Sequence, residues 1–165
     1  MKKCVIFDFD GTLANSKAVA FQVINQLADI YGFPKFSPEK AMMMHGQEKS
    51  LLTQFPIIAN DFYKLYKESL QEIPLFGGIR EVLLQLKDLG VEIAVISSNE
   101  ESNIRQYFRS QGMDFITEVY TSSDLYGKDT MIDAFCDKHQ LSKDEVLYVG
   151  DEVRDIRACH KSGIS

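Results

Sequence analysis

A chain of 165 residues, 45% of them hydrophobic and 25% charged, is long enough for one core-bearing domain with a small insertion. Its formal net charge of -6 argues against nonspecific nucleic-acid binding and against an anionic membrane surface, while leaving room for a local site that holds a phosphorylated metabolite. Cys4, Cys136 and Cys159 are scattered and lack CxxC spacing, so they read as reduced thiols of a cytoplasmic protein, not as a disulfide framework or a zinc site.

In chain order, MKKCVIFDFD reaches charge too soon for a signal-peptide core, and no later apolar run is long enough to cross a bilayer. Residues 3–8 are almost wholly apolar, as suits a central parallel strand covered on both faces. Two carboxylates, Asp8 and Asp10, then stand one residue apart before Gly11-Thr12. Burying charge without a partner is costly, so this pair asks for something positive. Residues 16–31 carry a broad apolar stripe at helical spacing, stopped by Gly32. The next stretch holds Pro34, Pro38 and Pro56 and the run Met42 to Met44. It then gives the helical pattern NDFYKLYKESLQEI. No alternating strand pattern occurs there, so residues 16–75 read as a small all-helical insertion between two parts of a core, 1–15 and 76–165.

From Gly78 the pattern alternates. Helix IREVLLQLKDLG leads to strand VEIAVIS, and helix EESNIRQYFRSQG to strand FITEVY. Helix DTMIDAFCDKHQ leads to strand EVLYVGD, and helix VRDIRACHKSG follows. Such alternation predicts an α/β fold with a doubly wound, Rossmann-like parallel sheet. Sites in such sheets form beyond the carboxyl ends of the strands. That edge would receive Asp8 and Asp10, then Ser97, Ser98 and Asn99, then Asp151. Local readings compete with a joint site: SSN by itself is a helix N-cap signature, Asp151 could cap the last helix, and Lys128 could be a loop lysine.

DFDGT, VISSN, YGKDT and GDEVRD occur in the order found in the haloacid dehalogenase-like superfamily. The chain resembles its phosphoglycolate-phosphatase-like branch, with the helical insertion between the first and second motifs. The resemblance implies a Mg²⁺-dependent phosphatase of a small phosphorylated metabolite, working through an aspartyl-phosphate intermediate. Asp8 would be the nucleophile and Asp10 the general acid and then base. Ser97, Ser98 and Lys128 would bind phosphate. Asp8, the backbone carbonyl of Asp10, and Asp151 would hold the metal. Asp155 would ligate it through water or hold the site in place. The insertion would act as a helical cap that selects the leaving group.

A sugar-phosphate mutase uses the same acids, and a noncatalytic binding module is the alternative from another class. No nucleic-acid or membrane partner is expected, and the chain would be a monomer or weak homodimer. Phe9 should point away from the two acids, Thr12 should support the loop, and Arg154 should pair with Glu152. His139 and His160 fall near helix ends. His45, Gln47 and Lys49 are candidate substrate contacts in the insertion. Two features depart from the family pattern. Lys128 is followed by Asp129-Thr130 rather than a nearby proline, with Asp129 expected as the helix N-cap. The chain stops at SGIS, where the resemblance implies a further strand and helix, so a C-terminal strand is apparently missing and the fourth strand should lie at a sheet edge.

Overall fold

The apolar run CVIF forms β1 (Cys4–Phe7), buried at every position. In this computed structural model, which describes residues 1–37, 56–121 and 127–165, β1 is flanked on both sides. β2 (Glu92–Ser97) pairs with it on one side and β4 (Val146–Val149) on the other, while β3 (Glu118–Thr121) pairs with β2. The order is β3-β2-β1-β4 and every pairing is parallel. Phe7 stands level with Val95 and Val149, and Ser97 level with Thr121, so the carboxyl ends of the strands form one rim.

Both faces of the sheet are covered, which is why its strands read as continuous apolar runs. On one face Cys4, Ile6, Ala94, Ile96, Val146 and Tyr148 pack with side chains of α5 (Lys128–His139) and α6 (Val153–Ser162). The alternate residues Val5, Phe7, Ile93 and Val95 are buried as well. Buried Leu83 comes from α3 (Ile79–Asp88), and Ile104, Tyr107 and Phe108 come from α4 (Glu101–Ser110). This is the α/β, Rossmann-like arrangement that the alternation predicts. β4 lies at an edge, as expected. Its outer side is met at Tyr148, whose N–H donates to the Ser165 carbonyl at 2.8 Å, and at Val146, whose carbonyl accepts from Lys2 Nζ at 2.7 Å.

Cα packing divides the chain into two compact units, Met1–Asn15 with Pro74–Ser165, and Ser16–Ile73. The second holds α1 (Lys17–Tyr31), α2 (Pro56–Ser69) and a 3-10 turn at Leu70–Glu72. The helix predicted from residue 60 already includes Pro56, where this described stretch begins. α1 buries Val23, Ile24, Leu27 and Ala28. α2 buries Phe62 and Tyr66, whose rings stack at 5.6 Å, and Tyr31 Oη donates to Asp61 Oδ2 at 2.7 Å. The described residues of this unit contain no strand. Met42 to Met44, His45, Gln47 and Lys49 lie outside the described residues, so the sequence-based expectations for them have no structural counterpart.

Candidate active site

The chain leaves β1 through Asp8 and turns back at once. The Phe9 carbonyl accepts from Leu13 N–H at 3.0 Å and Ala14 N–H at 2.9 Å, and Gly11 N–H donates to the Ala14 carbonyl at 2.9 Å. Phe9 is wholly buried, edge-on to Tyr107 and Phe108 with centroids 5.1 and 5.9 Å away. The ring between the two acids thus enters the core, as the alternation predicts. Gly11 takes φ +83°, and a Cβ there would come within 2.4 Å of Asp151 Oδ2. Only glycine suits both the backbone and the approach of that carboxylate. Thr12 Oγ1 donates to Asp151 Oδ1 at 3.4 Å, so its expected support of the loop reaches across to the fourth strand's motif.

Lys128 is the buried centre of the group. Its Nζ lies 2.9 Å from Asp8 Oδ1 and 2.6 Å from Asp155 Oδ1, and all three side chains are at most 3% exposed. A charge this deep persists only with close counter-charges. Asp155 is held from other sides too. Its Oδ1 faces Tyr148 Oη at 3.4 Å, and its Oδ2 accepts from Glu152 N–H at 3.1 Å. A Cβ on Gly150 would lie 2.4 Å from Asp155 Oδ2, so this glycine leaves the space that carboxylate fills. Both Asp155 oxygens are therefore engaged within the protein. Arg154 pairs with Glu152, as expected.

Two sequence-based readings change here. Asp129 is not the N-cap of α5: the helix begins at Lys128 with Gly127 in the cap position, and Asp129 stands in the first turn, facing Lys161 Nζ at 3.2 Å. An acid there still suits the helix dipole. Likewise SSN does not cap α4, whose N-cap residue is Glu100. Instead Ser97 Oγ accepts from Asn99 N–H at 3.1 Å, tightening the turn beyond β2, with Ser98 half-buried beside it.

Sequence reasoning placed Asn99 at this rim without giving it a role, and it passed over Tyr148. The Asn99 side chain donates from Nδ2 to Asp10 Oδ2 at 3.2 Å. Tyr148 reaches from β4 past β1, its hydroxyl 3.2 Å from the Ile96 carbonyl and its ring 5.7 Å from Lys128 Nζ. Burial first, then the charges of Asp8 and Asp155, push its phenol far up, so it stays a neutral donor. The Tyr107 phenol is pushed up to about 12, by burial and then by Asp10.

Asp8, Asp151 and Asp155 can each bring one carboxylate oxygen within 4.8 Å of the others. Hard oxygen donors at this spacing suit a small divalent cation such as Mg²⁺. The space that Gly11 leaves for the Asp151 carboxylate fits the same purpose.

An α/β sheet that gathers buried aspartates and a lysine at the carboxyl rim of its strands defines a class. The family model for haloacid dehalogenase-like hydrolase matches residues 5–165, and the chain belongs to that family. Within it the chain is a phosphatase, a phosphoric monoester hydrolase of the phosphoglycolate-phosphatase-like branch. It is 24% identical to the phosphoglycolate phosphatase of Synechococcus elongatus over 98% of its own length and 81% of that protein's. Against the phosphoglycolate phosphatase of Haemophilus influenzae strain 86-028NP the identity is 25%, covering 98% and 82%. Among solved structures, a haloacid dehalogenase-like family hydrolase of Streptococcus pneumoniae superposes with a TM-score of 0.84 at 18% identity, covering 99% of this chain and 82% of that one. CbbY of Rhodobacter sphaeroides, solved in complex with phosphate, superposes with a TM-score of 0.77 at 14% identity, covering 99% and 84%.

No helix among the described residues is long and apolar enough to cross a membrane. All three cysteines are free and buried, and burial pushes the Cys4 thiol up to about 12.

Proposed function

We propose that the chain is a Mg²⁺-dependent phosphatase that hydrolyses a small phosphate monoester through an aspartyl-phosphate on Asp8. The observation that carries this reading is the buried Asp8–Lys128–Asp155 group, set beside Asp10 and Asp151 at one sheet rim. A carboxylate oxygen of Asp8 attacks phosphorus, the bond from phosphorus to the leaving alcohol breaks, and Asp10 passes a proton to the departing oxygen. Water then attacks phosphorus, giving a proton to Asp10, and the bond from phosphorus to Asp8 breaks. Inorganic phosphate leaves and both aspartates return to their first state.

Lys128, Ser97 and Ser98 bind the phosphoryl oxygens, and Lys128 orients Asp8 by direct contact. Asp155 acts through Lys128, which it holds. Asp8, Asp151 and the Asp10 main-chain carbonyl would hold Mg²⁺. When bound, the ion supplies positive charge against the anionic phosphate. The helical insertion selects the leaving group. Phosphoglycolate, the ester in the relatives' names, is the first substrate to test.

The experiment is phosphate release from para-nitrophenyl phosphate, with and without Mg²⁺, for the wild type and Asp8→Asn. Asp8→Asn is expected to lose about a thousandfold or more in kcat, as removal of a nucleophile does. Turnover that survives in Asp8→Asn would overturn the reading. Slow phosphate release that depends on a sugar bisphosphate would mark a phosphomutase instead.

A further inference from the structure

We propose that Asn99 is a positioning residue that holds the acid–base carboxyl group of Asp10 in one orientation. This rests on the reading of Asp10 as the general acid. The orientation of the Asn99 amide follows from its neighbours. Its Oδ1 accepts from the Glu100 backbone N–H at 2.8 Å and faces Asn103 Nδ2 at 3.2 Å. A backbone N–H can only donate, so the atom it meets must be the amide oxygen, and the NH₂ group must face Asp10. The opposite orientation would set an amide oxygen against the carboxylate.

The amide is held firmly. Asn99 N–H donates to Ser97 Oγ at 3.1 Å, which ties the residue to the end of β2. Asn103, buried in α4, grips its side-chain oxygen. Nδ2 then meets Asp10 Oδ2 at 3.2 Å. An amide NH₂ has hydrogens to give and no lone pair to receive one. It takes Oδ2 as its acceptor and so sets the rotation of the Asp10 carboxyl group. A side chain fixed at three points also keeps Asp10 in one rotamer, and small misplacements of a catalytic group are costly.

A proton donor matters most when the leaving group is poor. The test is therefore a series of substituted phenyl phosphates of similar size, from phenyl to para-nitrophenyl, with the wild type, Asn99→Ala, Asn99→Asp, Asp10→Asn and Asp8→Asn. Asn99→Asp keeps the oxygen that Glu100 N–H and Asn103 bond while replacing the donor towards Asp10, so it stands in if the alanine variant fails to fold. Both Asn99 variants should lose kcat with KM little changed. The loss should be about tenfold larger on phenyl phosphate than on para-nitrophenyl phosphate, a part of the effect a general acid supplies.

An equal loss along the series, or none, would overturn the proposal and leave Asn99 a turn residue. Failure of the underlying reading looks different. Turnover retained in Asp8→Asn, no turnover by the wild type, or an Asp10→Asn variant with the wild-type leaving-group dependence would overturn both.

Discussion

At the scale of the residue, Lys128 decides how the buried acids are tolerated. Asp8 and Asp155 share its ammonium, at 2.9 and 2.6 Å, in a place where water is excluded. Replacing Lys128 with methionine keeps the bulk of the stem and removes the charge. Two buried carboxylates then lose their counter-ion, and breaking such a pairing costs about 3–5 kcal/mol. We expect Lys128→Met to lower stability by that order in urea unfolding and to abolish phosphate release. The residue types of the site were legible in the sequence, because DFDGT and GDEVRD put acids beside glycines. Their partners were not. Asn99 meets Asp10 across 89 positions of chain, and Tyr148 meets Ile96 across 52. No local pattern encodes such meetings; they exist only once the strands are aligned.

Among elements, periodicity carried most of the information. Each strand and helix predicted after Gly78 is present, because apolar residues at period two or 3.6 must find a core. Ends were less legible. The strand predicted from residue 115 begins at Glu118, after a turn in which Ile116 N–H donates to the Met113 carbonyl at 3.1 Å. β4 likewise follows a 3-10 turn at Lys143–Glu145, closed where Glu145 Oε2 accepts from Ser142 N–H at 3.0 Å. Glu145 also pairs with Lys3 at 2.5 Å, joining this turn to the start of β1. The bond to Lys3 first, then that to Ser142, lowers the Glu145 carboxyl from 4.5 to about 2. A carboxyl that is more acidic in the folded chain stabilises it fully above its unfolded pKa. That share fades as pH falls through the folded value. The Tm of the wild type should therefore exceed that of Glu145→Gln above pH 4.5, and the two should converge as pH drops towards about 2. A difference that stayed constant across this range would show that the carboxylate charge plays no part.

At the scale of the whole molecule, the sheet brings separate segments to one rim, and a divalent cation that binds there should stabilise the fold as a unit. At a hundred times its Kd, a ligand specific for the folded state adds about 2.7 kcal/mol, and for a chain of this size that raises Tm by roughly 5–10 °C. We expect Mg²⁺ to produce such a rise in a thermal scan, and Asp151→Asn to remove most of it. An unchanged Tm at saturating Mg²⁺ would count against the metal site. The lysine seated between Asp8 and Asp155 has a consequence at this scale too. Part of the charge at the rim is balanced by the chain itself, so we expect the chain to fold before any ion binds, which a circular-dichroism spectrum in EDTA would check. On the proposed Mg²⁺ dependence, the protein would fall silent in a cell short of magnesium without being lost to degradation. When the ion returned, the same molecules would resume work at the speed of diffusion, with no need for new synthesis.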